Sequence, residues 1–339
     1  MMDFIFAGYM HMIYVLLFAV LIDLAVGEPP ARLHPVVWIG TLIGIFKKHI
    51  PSSGRKTYGV FMGISCILFA SLLAYIVLLV SNQSLVPELV GIVIEAYFLK
   101  STFSIRRLLF AGEEVASTLE VGALEEARKQ LSMYVSRDTS KLSDSHVSSA
   151  AIETVSENYV DSVLSPLLYY SVAGPFGLIA AYAFKAVSTL DSMVGYRDEA
   201  HREVGFFSAK LDDVLNWIPA RISLFFIWVT AFFLNILSRN MSFDPSGACY
   251  CTNNYCKVPD SPNSGYPMAA VAGAVGVKLE KPGVYVLGEG LAFPDAESIK
   301  RANRLVEGAA LISIACFSLV IMFLQTFYGN LCNLVKVIL

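Results

Sequence analysis

The stretch Glu153-Thr154-Val155-Ser156-Glu157-Asn158-Tyr159-Val160-Asp161 runs almost directly into an apolar segment, 163–187, which is interrupted by Gly174-Pro175-Phe176-Gly177. This junction decides the fold. Acids set against sequence greasy enough for a bilayer are costly unless they have a partner or a task. At helical spacing Glu153, Glu157 and Asp161 form one row, with Asn158 beside it. Two glycines around a proline mark a turn. The apolar segment therefore either spans with a kink or dips in and returns. Broken helices at membrane depth are tolerated where they line a polar cavity.

Outward from that junction the chain stays apolar. Apolar residues make up 55% of the 339 and charged residues 16%, where a soluble domain carries about a quarter charged. Mean hydropathy is +0.60. These values predict an all-α, polytopic integral membrane protein folded as one membrane-embedded domain, 1–339. About five apolar segments, one of them either spanning or re-entrant, are expected among 4–26, 59–80, 88–99, 163–187, 222–237 and 308–327; a span needs roughly 20 residues. The first lacks a basic leader and ends in Gly27-Glu28-Pro29-Pro30, so it reads as a retained helix. Region 112–160 reads as cytoplasmic amphipathic helices, because Val115, Leu119, Leu124, Ala127 and Leu131 recur at helical spacing. Ser143 or Asp144 can cap the helix that carries the acid row. Region 239–303 reads as polar loop.

The densest basic loop, 47–56, belongs on the cytoplasmic side. The basic content after Lys185 predicts that the polar motifs share that face. A net charge of -3 gives no reason to expect nucleic acid. The six cysteines show no disulfide framework. Cys249, Cys251 and Cys256, spaced C-x-C-x4-C, could form a metal or redox cluster, but no second cluster or histidine follows.

Three like charges in a row repel, and a hard cation such as Mg²⁺ resolves that repulsion because it favours carboxylate oxygens. The alternative is a solvated acidic face paired with nearby Arg and Lys. Asp212, Asp213 and Asn216 repeat the chemistry, followed by Trp217 and Arg221, a pair that also suits interfacial anchoring. Asp191 with Tyr196 and Arg197 makes a third cluster. Arginine suits bidentate capture of phosphate, which singles out Arg137, Arg197 and Arg221. His34, alone between Leu33 and Pro35, is either structural or catalytic. There is no P-loop and no G-x-G-x-x-G after a strand. Hydrolase templates have no match either.

Six motifs in order carry a resemblance. They are His34-Pro35-Val36-Val37-Trp38-Ile39-Gly40, Ser136-Arg137-Asp138-Thr139, the 153–161 stretch, 185–196 with Leu190-Asp191-Ser192-Met193-Val194-Gly195-Tyr196, Leu211-Asp212-Asp213-Val214-Leu215-Asn216-Trp217-Ile218-Pro219-Ala220-Arg221, and Ser261-Pro262-Asn263-Ser264-Gly265-Tyr266-Pro267. Together they resemble the adenosylcobinamide-phosphate synthase family of cobalamin biosynthesis, from Asp23 to about Leu291.

The resemblance implies a multi-pass cell-membrane ligase. Such an enzyme joins the f-side-chain carboxylate of adenosylcobyric acid to an aminopropanol or its O-phosphate, using ATP and Mg²⁺. The implied partners are the corrinoid, the amino alcohol phosphate, the lipid bilayer and other membrane-bound cobalamin-assembly enzymes. The acid row and the Asp212–Asp213 pair are expected to converge on one cavity. Glu153, Glu157, Asp161 and Asp213 would hold metal. Glu157, Asp212, Asp191 and His34 are the catalytic candidates. Arg137, Asn158, Tyr196, Arg197, Asn216, Arg221 and Asn263 would bind substrate. A transporter also uses intramembrane carboxylates and broken helices, but the chain shows no internal repeat.

Overall fold

Apolar backbone that leaves water must satisfy its own hydrogen bonds, and here it does so in helices. The computed structural model describes residues 2–196, 198–199, 201–237 and 242–338. It is 75% helical. In chain order the helices are α1 (Met2–Ala25), α2 (Pro35–Lys48), α3 (Arg55–Ser81), α4 (Glu88–Lys100), α5 (Ile105–Glu120), α6 (Leu124–Ser132), α7 (Asp144–Tyr159), α8 (Ser165–Val172), α9 (Gly177–Val194), α10 (Phe206–Leu215), α11 (Trp217–Leu237), α12 (Pro245–Tyr255), α13 (Gly265–Val275) and α14 (Ala296–Ile338). Two three-residue strands, β1 (Leu279–Lys281) and β2 (Tyr285–Leu287), pair antiparallel with Leu279 opposite Leu287.

Among the described residues, three helices are long and apolar enough to cross a membrane: α3, α11 and the Ala296–Phe327 part of α14. The expected segments 4–26, 59–80, 222–237 and 308–327 fall in α1, α3, α11 and α14. Segment 88–99 lies in α4, whose 13 residues rise only about 20 Å, short of a bilayer core of about 30 Å.

The contacts divide the chain into two compact units. The first takes the residues up to Ser104, Ser165–Leu215 and the chain from Ile314 on. In it α1 packs on α4, and α9 packs on α2, α3, α8 and α10. Segment 163–187 is not one continuous helix. A 3₁₀ turn at Gly174–Phe176 separates α8 from α9. The helices then fold back on each other, stacking Tyr169 on Phe184 with ring centroids 5.3 Å apart. One face of α3 is buried through Met62, Cys66, Ala70, Ala74 and Val77, small or slender side chains that admit close helix packing. Its other face exposes Phe61, Leu68 and Leu72.

The second unit comprises Ile105–Leu164 and Asn216–Ser313. The amphipathic stretch 113–134 is two helices, not one, because Gly122 at φ +74° ends the path between α5 and α6. Ser143 caps α7 by accepting from His146 N. The helix then loosens into a π turn, Val160–Leu164. Asp161 lies on that turn, where five-residue hydrogen bonding replaces the four-residue repeat. The three-acid row of uniform helical spacing therefore ends at Glu157.

Region 239–303 is not a polar loop. Within it α13, eleven residues long and too short to span, is buried over most of its length and packs on α12, α11 and α7. The α12–α13 crossing is closest at Gly247 and Gly273, where a Cβ on Gly273 would stand 2.0 Å from the Gly247 carbonyl oxygen.

Candidate functional site

In the second unit the polar motifs build around Glu153, which is 2% exposed. Ser149, one turn earlier on α7, accepts from Glu280 N on β1 (2.7 Å) and donates to Glu153 Oε1 (2.8 Å). Tyr285 on β2 donates to Glu153 Oε2 (2.8 Å), and Arg137 Nη2 donates to the same oxygen. Burial, then the charge and hydrogen bond of Glu153, hold the Tyr285 phenol far above its usual range, against the opposing charge of Arg137. Tyr285 therefore stays a donor. Three donors, one of them the Arg137 guanidinium, serve Glu153, which is the anchor of this cluster.

Glu157 is exposed one turn on, and its charge still reaches Tyr285. Asn158 is turned to its own helix, with Nδ2 donating to Thr154 O (2.9 Å). Arg137 Nη1 is buried and has no acceptor among the described residues. That N–H edge is suited to an oxygen anion.

The second feature of this unit is Arg221. Its guanidinium lies 4.1 Å from the Trp217 ring centroid and 4.4 Å from that of Tyr266. Nη1 donates to Trp217 O (2.7 Å) and to Asn263 Oδ1 (3.3 Å). Two sequence motifs 42 residues apart thus meet. Stacking fixes the plane of the guanidinium, so its fork faces a set direction. Asn216 is buried just before α11, and its carbonyl accepts from Ala220 N (3.0 Å).

In the first unit Asp191 ends α9. A Cβ on Gly195 would stand 2.0 Å from Asp191 Oδ1. Burial, and after it the charge of Asp213, raise the Asp191 carboxyl above the usual range. Asp213 in turn meets Lys210 Nζ at 3.3 Å. Asp212 sits beside it on α10. Tyr196 packs edge-on to His201 (5.7 Å). Arg197 lies outside the described residues.

His34 has both ring nitrogens engaged. Nδ1 accepts from Val36 N (3.3 Å) and caps α2, which leaves Nε2 to donate to Glu28 Oε2 (3.0 Å). This geometry fixes the ring between the start of α2 and Glu28. Glu28 also pairs with Lys100 Nζ (2.7 Å), which reaches Asp23 Oδ1 at 3.3 Å. Burial works against ionising Glu28, but hydrogen bonds from His34, Lys100 and Ser104 outweigh it and pull its carboxyl down to about 2.

Asp23, Glu28 and Lys100 were not among the expected site residues. Their signal was a lone charge at the end of each apolar run, which also reads as a segment boundary. Tyr285 and Ser149, too, lie outside the six motifs or carry no charge.

Among the described residues, no group of three or more His, Cys, Asp or Glu is placed to hold a metal ion. The acid row belongs to the second unit and Asp212 and Asp213 to the first. Cys249, Cys251 and Cys256 are free thiols, the last two buried; Cys249 and Cys251, two positions apart on α12, face different sides of it.

The family model described as CobD/Cbib protein matches residues 16–313. The chain is 40% identical over 320 residues to "Probable cobalamin biosynthesis protein CobD" of Methanothrix thermoacetophila, covering 91% of this chain and 96% of that one. It is 40% identical over 296 residues to the protein of that name from Methanothermobacter thermautotrophicus, covering 87% and 93%. It is 34% identical over 330 residues to "Cobalamin biosynthesis protein CobD" of Streptococcus sanguinis, covering 91% and 98%. No solved structure matches it. On the matched length and these identities, the chain belongs to the CobD/Cbib family.

Proposed function

We propose that this chain is the amide-forming ligase of cobalamin biosynthesis that joins the f-side-chain carboxylate of adenosylcobyric acid to aminopropanol or its O-phosphate at the expense of ATP. The observation that carries the reading is the family match over residues 16–313, which takes in all six motifs. A carboxylate and an amine do not condense in water without activation. The carboxylate oxygen attacks the γ-phosphorus, ADP departs, and an acyl phosphate forms. The free amine then attacks the carbonyl carbon, phosphate leaves with the bonding pair, and the ammonium proton passes to a base.

Within the second unit, Arg221, held flat by Trp217 and Tyr266, receives the corrin carboxylate with Asn263 beside it. The buried, acceptor-free Nη1 edge of Arg137 receives a phosphate oxygen. Charge-assisted, oriented donors of this kind stabilise the charge that develops on a transferring phosphoryl group. Exposed Glu157 takes the amine proton. The described residues do not fit a resident Mg²⁺ cage. No step is assigned to one, and a divalent ion would arrive chelated to the triphosphate.

The test is a product assay with the purified full chain in detergent, adenosylcobyric acid, ATP, Mg²⁺ and each amino alcohol, read by mass spectrometry. An ATP-dependent mass gain equal to the amino alcohol less one water is expected. Absence of product from every complete mixture would refute the reading. Arg221→Lys keeps the charge but loses the fork, and should raise KM for the corrinoid about tenfold with the fold intact.

A further inference from the structure

The ion pair between Arg137 and Glu153 is made by one edge of the guanidinium. Nη2 donates to Glu153 Oε2, while Nη1 is buried and has no acceptor among the described residues. Arginine–carboxylate pairs are frequently bidentate, with two parallel N–H···O bonds. A buried donor left unmade carries its full desolvation penalty. A single-edged pair with a stranded second edge therefore needs a cause.

The cause lies in the other donors to Glu153. Ser149 Oγ donates to Oε1 (2.8 Å), and the Tyr285 hydroxyl shares Oε2 with Arg137 (2.8 Å). Both donors are themselves fixed by the hairpin. Ser149, 1% exposed, accepts from Glu280 N on β1 (2.7 Å). Tyr285 opens β2 after a tight turn in which Val284 N donates to Lys281 O (2.9 Å). Pro282 presets φ there and Gly283 takes φ +72°, the order that such a turn favours. The hairpin thus grips two successive turns of α7, one through Ser149 and one through Glu153. All of these residues belong to the second unit.

A phenylalanine at 285 would cover Glu153 as well as tyrosine does. It would also vacate one side of Oε2. Turning the guanidinium so that Nη1 faces the carboxylate would fill that place, and the edge would be lost to any ligand. The hydroxyl is what holds the second edge outward.

We propose that Tyr285 is a positioning residue of the anion site: with Ser149 on Oε1, it fills Oε2 beside Arg137, keeps the ion pair single-edged and reserves Nη1 for a phosphate oxygen of the substrate. The inference rests on the reading above in which Arg137 receives phosphate.

The experiment combines steady-state kinetics of the full chain in detergent with titration by the non-hydrolysable β,γ-imido analogue of ATP. Tyr285→Phe should raise KM for ATP and Kd for the analogue about tenfold. KM for the corrinoid, which Arg221 receives, should not move. Arg137→Lys should weaken the analogue by at least as much. Combined with Tyr285→Phe it should cost no more than Arg137→Lys alone, because Tyr285 acts through that guanidinium. Ser149→Ala should behave as Tyr285→Phe does, and it carries the same cycle if the tyrosine variant fails to fold. Multiplying effects in the cycle would overturn the inference, since Tyr285 would then act apart from Arg137. An equal rise in KM for the corrinoid would overturn it too, as the mark of a general loss of structure. So would unchanged KM and Kd in both single variants. Product formation by the wild type without any need for ATP would instead remove the reading on which the inference rests.

Discussion

Glu28, in the loop after α1, and Asp191, at the end of α9, are carboxylates of the same unit that both leave water in part, yet they are driven in opposite directions. Glu28 has His34, Lys100 and Ser104 as donors, and its carboxyl falls to about 2. Asp191 has burial and the nearby Asp213 charge, and its carboxyl rises. Burial is common to both. Donors separate them, because each hydrogen bond to the charged form favours it. Glu153 in the second unit is likewise buried, multiply hydrogen-bonded and paired with Arg137.

The sharpest way to break this contrast is to remove the cation. Lys100→Met leaves Asp23, fully buried, and Glu28 without their shared partner. The expected loss is about 3–5 kcal/mol, the cost of stranding buried charge. It should be seen as collapse of the melting temperature in detergent. An unchanged transition would mean that Asp23 finds water.

Next is pH. A depressed carboxyl stabilises above its unfolded value, near 4.5, and that contribution is lost as pH falls from there towards about 2. Glu28→Gln should therefore cost roughly 1–2 kcal/mol at neutral pH, discounted because about a third of the side chain meets water. The cost should shrink steadily on acidification. A pH-independent cost would point to packing instead of charge.

Tyr285→Phe removes one of three donors to Glu153 and should cost about 1 kcal/mol. Thermal melts of the purified variant check it, and a neutral result would show that Arg137 and Ser149 suffice.

The smallest effect has the opposite sign. A raised carboxyl contributes stability below its unfolded pKa and loses it as pH rises through the folded value. Asp191→Asn should thus melt slightly higher than wild type at neutral pH and match it in acid. A lower melting temperature at neutral pH would remove the contrast with Glu28.

Much of this fold was legible because apolar length and helical periodicity report directly on helices. The apolar runs 4–26, 59–80, 222–237 and 308–327 fall in α1, α3, α11 and α14, and the Gly174–Gly177 break marks a real reversal. What escaped has physical reasons. A π turn changes hydrogen-bond spacing without changing residue type, so Asp161 looked in register with Glu157. The small residues of α13 resemble a loop until α7, α11 and α12 pack around them. Strands of three residues, Leu279-Glu280-Lys281 and Tyr285-Val286-Leu287, are too short to show alternation. At the site, Arg221 and Asn263 were legible as residue types, but their meeting depends on how α11 and the 261–267 turn pack. Lys100 escaped because a charge that ends an apolar run looks the same whether it faces water or a buried acid.

Gly195 carries a consequence for any mutational map of this protein. Its φ of −73° is open to every amino acid, so torsion does not explain why glycine stands there. The Asp191 carboxylate, with the Asp191 main-chain carbonyl behind it, occupies the space where a side chain would begin. An alanine at that position would evict the carboxylate from its place while leaving residue 191 itself unchanged. In a saturation scan, position 195 should therefore behave as a second copy of position 191: the glycine acts as the mould in which the acid is cast.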